Sequence, residues 1–167
     1  PHGLDAEGHY SSARDLAPIT SEALENEDFA EIFATKSVTI DGQTYVNHNR
    51  LLFSYDGCIG GKPGYTIAAG RTLVSAAERD GLTLICVTIS DPDDWNTHTR
   101  LLDWGFENYR LKSIGLPERE IDVPLISGFT DTVKAGCPEP AEVLVERGAG
   151  CTCLIELPPF VYAPVTA

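Results

Sequence analysis

Between residues 57 and 66 the chain reads Gly57-Cys58-Ile59-Gly60-Gly61-Lys62-Pro63-Gly64-Tyr65-Thr66, one lysine among four glycines and a proline. Glycine inside a strand marks a bulge or a close approach by another backbone or a ligand, and proline restricts a strand to the edge of a sheet. A lysine on such bare backbone lets a substrate lie where a cation and amide donors act together. The competing reading of the same glycines is a turn or bulge with no ligand. Segments 70–79 and 82–90 follow as longer strand candidates joined by Asp80-Gly81, and Leu82, Leu84, Ile85, Val87 and Ile89 are apolar enough for a central strand. Three antiparallel strands in series, the first carrying Lys62, are the expected scaffold.

Helices are expected on either side of these strands. Ser11 and Ser12 offer N-caps to a helix from Ala13, where Ala13, Leu16, Ala17 and Thr20 keep helical spacing and Pro18 is expected to limit or bend it. A second run over 28–34 places Phe29, Ile32 and Phe33 on one face. Segments 37–40 and 43–46, joined by Asp41-Gly42, read as a hairpin, because this dipeptide supplies the positive backbone angles of a tight turn. Asp91-Pro92-Asp93-Asp94 reads as a helix start with Asp91 at the N-cap; Trp95, His98, Leu101 and Leu102 form an apolar face and Gly105 a stop. His98 is thus read as a packed residue rather than a base. A calcium loop from Asp91 fails, having no glycine at its sixth position and Leu102 where the bidentate acid is needed.

A net charge of −13 with only 12 Lys and Arg argues against a nucleic-acid or anionic-membrane partner. No apolar run is long enough to span a bilayer. Five cysteines cannot all pair within the chain, and Cys58, Cys86 and Cys137 have no ligand spacing around them. Cys151 and Cys153 share a face if their segment is a strand. Reduced thiols acting as small buried residues, and no metal site, are expected. His2 and His9, with Asp5 and Glu7 nearby, match no short zinc motif and are read as local structure before the first helix. Arg14 and Asp15 are read as ion-pair or capping residues, and Asn47 and Asn49 as ordering the loop ahead of the Lys62 strand.

Pro1-His2-Gly3-Leu4-Asp5, the stretch from Gly8 to Ala17, Asn47-His48-Asn49-Arg50-Leu51-Leu52 and the stretch from Ala69 to Ser75 follow one another in an order that, with Lys62-Pro63-Gly64, resembles the low-molecular-mass penicillin-binding proteins that are serine-type D-alanyl-D-alanine carboxypeptidases. That family builds its site from Ser-x-x-Lys, a Ser-x-Asn type element and Lys-Thr-Gly. Only the third has a counterpart here, with Pro63 in place of threonine; none of the serines has a lysine three positions on. The resemblance implies an α+β fold: part of a β-lactamase/transpeptidase-like domain, an antiparallel sheet with helices, over 1–110, then a linker over 111–120 and an incomplete all-β C-terminal domain over 121–167. The charged residues 117–120 and the alternating runs 121–126 and 151–157 accord with that division. Since methionine is absent and Pro1 opens directly into a motif, the residues are expected to be a fragment or processed product.

By resemblance, the activity is hydrolysis of the bond between two terminal D-alanines of a peptidoglycan stem peptide through an acyl-enzyme that β-lactams trap. The nucleophilic serine and its base lysine lie outside this chain. Lys62, Pro63 and Gly64 fall on the substrate-binding motif, and the backbone N–H of Tyr65 falls on the oxyanion-hole position. No cofactor is implied. The expected place of action is extracytoplasmic, with membrane attachment only through a C-terminal segment not in the chain. The alternatives are a catalytically silent peptidoglycan-binding module, for which Pro63 and the absent nucleophile speak, and a serine β-lactamase relative, against which the β-rich tail speaks.

Overall fold

Two short turns set the strand pattern. Asp41 and Gly42 have φ of 51° and 78°, as do Asp80 and Gly81, the positive angles that a two-residue hairpin loop needs to follow the twist of its strands. The first turn joins β1 (Ser37–Ile40) to β2 (Gln43–Val46), and the second joins β4 (Gly70–Arg79) to β5 (Leu82–Ile89). With β3 (Cys58–Thr66) these make an antiparallel sheet in the order β3-β4-β5, as the sequence predicts. The structure, a computed structural model, describes residues 4–114, 120–136, 140–152 and 154–164. It divides into two units, Pro1–Asn108 and Tyr109–Ala167.

In the first unit, helices cover both faces of the three-stranded sheet. Leu73, Ser75 and Ala77 of β4 are fully buried on one face, where α4 (Asp94–Asn108) packs against β4 and β5 and α3 (Leu51–Ser54) against β3. Ala76 is fully buried on the other, where α2 (Glu27–Ala34) packs against β3 and α1 (Ala13–Leu24) against β5. This is the α+β arrangement expected, built on periods of two in the strands and 3.6 in the helices.

Several local expectations need correction. Helix α1 runs through Pro18 to Leu24: Pro18 and Arg14, whose carbonyl loses its usual partner, are both exposed, so the lost bond lies on the solvent side. Ser12 is its N-cap, accepting from the Asp15 N–H at 3.1 Å while its hydroxyl donates to the Asp15 carboxylate at 2.6 Å. On α2, Phe33 is buried and stacks on Phe29 with ring centroids 5.0 Å apart, but Ile32 is exposed. Helix α4 starts at Asp94, three residues beyond the expected cap. Asp91 instead accepts from the Asp93 N–H at 2.9 Å in the preceding turn. Gly105 does not stop the helix. It is buried inside α4, where a Cβ would stand 2.5 Å from Leu84 Cδ1, so it brings the helix down onto β5.

The second unit is all β among its described residues. Strand β6 (Tyr109–Ile114) pairs with β9 (Ala141–Glu146); β7 (Ile121–Ile126) pairs antiparallel with β8 (Thr132–Ala135) and parallel with β10 (Val161–Tyr162). The linker expected over 111–120 is thus strand in its first four residues, because Leu111 to Ile114 have partners in Leu144 to Ala141; residues 115–119 lie outside the described ones. Pro124 falls in the part of β7 that pairs only with β8, where a missing donor is tolerated. The run 151–157 is not a strand in its described residues; no strand pairs with it, and Leu154 is 80% exposed. Cys151 is exposed and so departs from the buried-thiol reading, which Cys58 and the buried Cys86 fit better. Burial pushes the Cys86 thiol up to about 11 and raises Cys58. His2, Cys137 and Cys153 lie outside the described residues.

Leu101 and Leu102 separate the core from the surface on α4, being 48% and 1% exposed. Leu102→Ala is expected to lower unfolding stability by about 2 to 5 kcal/mol through lost burial and a residual cavity, and Leu101→Ala by no more than about 0.5 kcal/mol. Urea denaturation read as a shift in midpoint at constant m-value checks both.

Candidate functional site

The direction of the β3 backbone follows from its neighbour. Glu78 of β4 donates its N–H to Gly57 O at 2.8 Å, and Arg71 O accepts from the Asp91 N–H at 3.1 Å. Even-numbered residues of β4 therefore bond towards β3 and odd-numbered ones towards β5, since the two directions alternate along a strand. Thr72 and Val74 stand opposite Gly64 and Lys62, while Leu73 and Arg71 stand opposite Pro63 and Tyr65. The backbone groups of Pro63 and Tyr65 thus point away from β4. As β3 is the outer strand of its sheet among the described residues, proline at position 63 removes no ladder bond, and the Tyr65 N–H faces an open edge.

Side chains alternate across the same strand. Lys62 lies on the face of Val74 and Ala76, is exposed, and donates from Nζ to the Pro63 carbonyl. Pro63 and Tyr65 lie on the α4 face with Arg71. There His48, Arg50, Pro63, Gly64, Tyr65, Arg71, Asp94 and Trp95 line a recess of about 320 Å³. The Tyr65 ring itself is 70% exposed.

Arg71 and Asp94 form the electrostatic centre of that recess. Arg71 donates from Nη2 to Asp94 Oδ1 at 2.7 Å and from Nε to Oδ2 at 3.1 Å, a two-pronged pair that fixes the guanidinium plane. Asp94 is 1% exposed and also accepts from the Trp95 N–H at 2.8 Å, whereas the Arg71 side chain is 41% exposed and lies 5.8 Å from the centroid of the Trp95 ring. The carboxylate raises the Arg71 pKa above its ordinary value. In the sequence, Asp94 reads only as a helix-start acid; what brings it to Arg71 is the β4-β5 hairpin folding α4 back over the sheet. The Asp80-Gly81 turn sets the β4-β5 register, whereas Arg71 is placed beside the glycine-rich strand by the β3-β4 register, in which it stands opposite Tyr65.

Two buried polar residues hold the strand from beneath. Asn49 is fully buried; its Oδ1 accepts from the Leu51 N–H at 3.1 Å and its N–H donates to Asn47 Oδ1 at 2.9 Å. A Cβ at Gly61 would collide with the Asn49 amide, so the glycine lets β3 lie directly on it. At the N-terminal side, Thr66 donates to Asp5 Oδ1 at 2.8 Å and accepts from the Ala69 N–H at 3.0 Å, closing the turn after β3.

His98 is fully buried between two hydroxyls, Ser75 Oγ at 2.6 Å from Nδ1 and Thr88 Oγ1 at 3.0 Å from Nε2. A neutral imidazole needs one donor and one acceptor, and two hydroxyls supply both. It ties α4 to β4 and β5, the packing role read from the sequence.

The sequence profile of the D-alanyl-D-alanine carboxypeptidase family, peptidase family S11, matches residues 1–93, more than half of the chain. The chain belongs to that family. It is 39% identical to D-alanyl-D-alanine carboxypeptidase DacB2 of Mycobacterium tuberculosis over 69% of this chain and 44% of that protein. It is 32% identical to DacC of Escherichia coli over 88% of this chain and 38% of that one. Among solved structures, penicillin-binding protein 5 of Haemophilus influenzae superposes with a TM-score of 0.70 at 29% identity, covering 88% of this chain and 45% of that chain. The chain thus spans about two fifths of the length of the curated carboxypeptidases it matches. Lys62, Pro63, Gly64 and Tyr65 all fall within the profile-matched residues.

His98 has a pH signature. Burial pushes its imidazole down from 6.5 to about 4, against the opposing pull of Asp94 and Asp91. The unfolded chain then binds a proton that the folded one refuses, so this contribution is complete above pH 6.5 and is lost as pH falls towards 4. Unfolding curves across that range should show the natural chain losing about 3 kcal/mol more than a His98→Asn variant. Parallel pH profiles would refute a neutral buried histidine.

Proposed function

We propose that this chain supplies the strand half of the acyl-transfer cleft of a D-alanyl-D-alanine carboxypeptidase, its attacking serine and base lysine being carried outside these residues. The observation that supports the reading is the Tyr65 N–H, directed off a strand edge that is unpaired among the described residues, within a segment that matches the family. The substrate is a peptidoglycan stem peptide ending in D-Ala-D-Ala, laid along that edge on the extracytoplasmic side. Serine oxygen bonds to the carbonyl carbon of the penultimate D-alanine, and the Tyr65 N–H stabilises the charge that develops on the carbonyl oxygen. The C–N bond breaks, the leaving amine takes a proton, D-alanine departs, and water hydrolyses the remaining ester. β-Lactams enter the same route and stop at the ester.

Lys62 contributes positive potential beside the edge in a chain of net charge −13. Gly64 keeps the strand surface bare. Pro63 contributes a carbonyl but neither the hydroxyl of threonine nor an N–H. A catalytically silent peptidoglycan-binding module is the second reading, and Pro63 is the residue that favours it.

Fluorescent penicillin separates the two. The full-length protein carrying these residues is expected to form a serine adduct visible by gel fluorescence and mass spectrometry, and the 167 residues alone to form none. A folded full-length protein that does not label is the silent module. In the full-length enzyme, Pro63→Thr is expected to improve kcat/KM on a D-Ala-D-Ala peptide by about 1 to 3 kcal/mol of transition-state stabilisation, the worth of a hydrogen bond to a charged group. Unchanged kinetics would defeat that role for position 63.

A further inference from the structure

We propose that Cys58 is a positioning residue for the acyl-transfer edge: its thiol, clasped between the Asn49 amide and the Gly60 carbonyl, locks the bulge in β3 that sets the phase of residues 62–65. Its catalytic consequence rests on the function proposed above; the clasp itself rests on geometry.

The bulge decides which way the motif faces. Cys58 pairs with Ala77, but Gly60 pairs with Ala76, so Ile59 is an extra residue, and from Gly60 to Thr66 the pairing runs on without a further shift. Continued from Cys58 without that extra residue, β3 would set Pro63 opposite Thr72 and Tyr65 opposite Gly70. Pro63 would then turn its missing donor towards β4, and the Tyr65 N–H would be consumed in the ladder. The two residues that follow Ile59 are Gly60 and Gly61, the backbone with the most conformational freedom. The local chain therefore does not fix the bulge, and contacts must.

Each face of β3 supplies one. On the α2 face, Ile59 joins Ala30, Ala34 and Ile85 in lining the recess under α1 and α2, and a Cβ at Gly60 would strike the Phe33 ring. Phe33 thus bars Ile59 from the place of Gly60. On the other face, the buried Asn49 amide reaches across the bulge from Cys58 to Gly61. The Leu51 N–H claims its Oδ1 at 3.1 Å, which turns Nδ2 to Cys58, where it donates to Sγ at 3.8 Å. The thiol in turn donates to the Gly60 carbonyl at 3.6 Å. Cys58 is half-buried, and burial raises its thiol above the ordinary value, so it keeps the proton that it donates. Bonds to sulfur are weak singly, but these two act where the chain has least stiffness of its own. In the sequence Cys58 reads as a small packed residue; its two partners give it a second role.

The test compares Cys58→Ala, which removes the clasp, with Cys58→Ser, which is of similar size and keeps a donor and an acceptor, both in the full-length protein. Native-state hydrogen exchange followed by NMR reads the strand directly. In Cys58→Ala the Lys62 and Gly64 amides, which face β4, are expected to exchange about tenfold faster, while the Leu73 and Ser75 amides, which face β5, keep their natural rates. Cys58→Ser is expected to stay within about threefold of the natural protein at all four. Acylation by fluorescent penicillin is expected to slow about tenfold or more in Cys58→Ala and to be restored in Cys58→Ser, since small misplacements of a donor are costly. Unchanged exchange at residues 62 and 64, equal acceleration at all four amides, or alanine and serine variants that behave alike would overturn the clasp. A natural protein that folds and shows the exchange pattern but does not label with penicillin leaves the clasp standing and sinks the reading beneath it.

Discussion

The direction in which each β4 amide points determines almost everything at the candidate site. Because its even-numbered residues bond to β3 and its odd-numbered ones to β5, the backbone groups of Pro63 and Tyr65 are turned to the outer edge, where the Pro63 carbonyl accepts from Lys62 Nζ. The same alternation puts Leu73, Ser75 and Ala77 under α4 and carries Arg71 to the rim beside Tyr65. A shift of one residue in this register would exchange all of these at once: Arg71 would leave the recess and the Tyr65 N–H would turn inwards. The Asp80-Gly81 turn at one end and the Asp5–Thr66–Ala69 bonds at the other hold it.

Around this sheet the first unit uses buried polar residues as fixed spacers. His98, Asn49 and Asp94 are each at most 1% exposed, and among the described residues no buried side-chain nitrogen or oxygen lacks a partner. Each ties separate elements together: His98 joins α4 to β4 and β5, Asn49 joins the loop before α3 to β3, and Asp94 joins α4 to β4. Removing one member of such a set leaves the others desolvated, at a cost of about 1 to 3 kcal/mol per neutral group. The geometry is therefore stiff where the proposed peptide edge lies, a condition for donors that stabilise charge without having to reorganise.

Much of this was legible in the amino acids because the governing signals are local. Asp41-Gly42 and Asp80-Gly81 specify two hairpins, Ser12 with Asp15 caps α1, and alternation marks the strands. Misreadings arose where tertiary contact overrides a local rule. Gly105 reads as a helix stop, yet it is retained inside α4 by the close approach of Leu84. Ile32 keeps helical phase with Phe33, but only one of the two reaches the sheet. The run 151–157 alternates like a strand, yet among the described residues no strand pairs with it. At the site, Lys62 to Tyr65 stand out through glycine and proline, whereas Arg71 and Asp94 are 23 residues apart and carry no motif; only the fold joins them.

An edge that stays unpaired for a ligand is equally available to the strand of a neighbouring molecule, the first step of sheet-to-sheet association. Pro63 interrupts that hazard. Along the outward row of β3 it offers an acceptor but no donor, so a foreign strand would meet a gap midway through its ladder, while a short peptide end needs only the donor at Tyr65. One imino acid can thereby keep the chain from polymerising through its own opening.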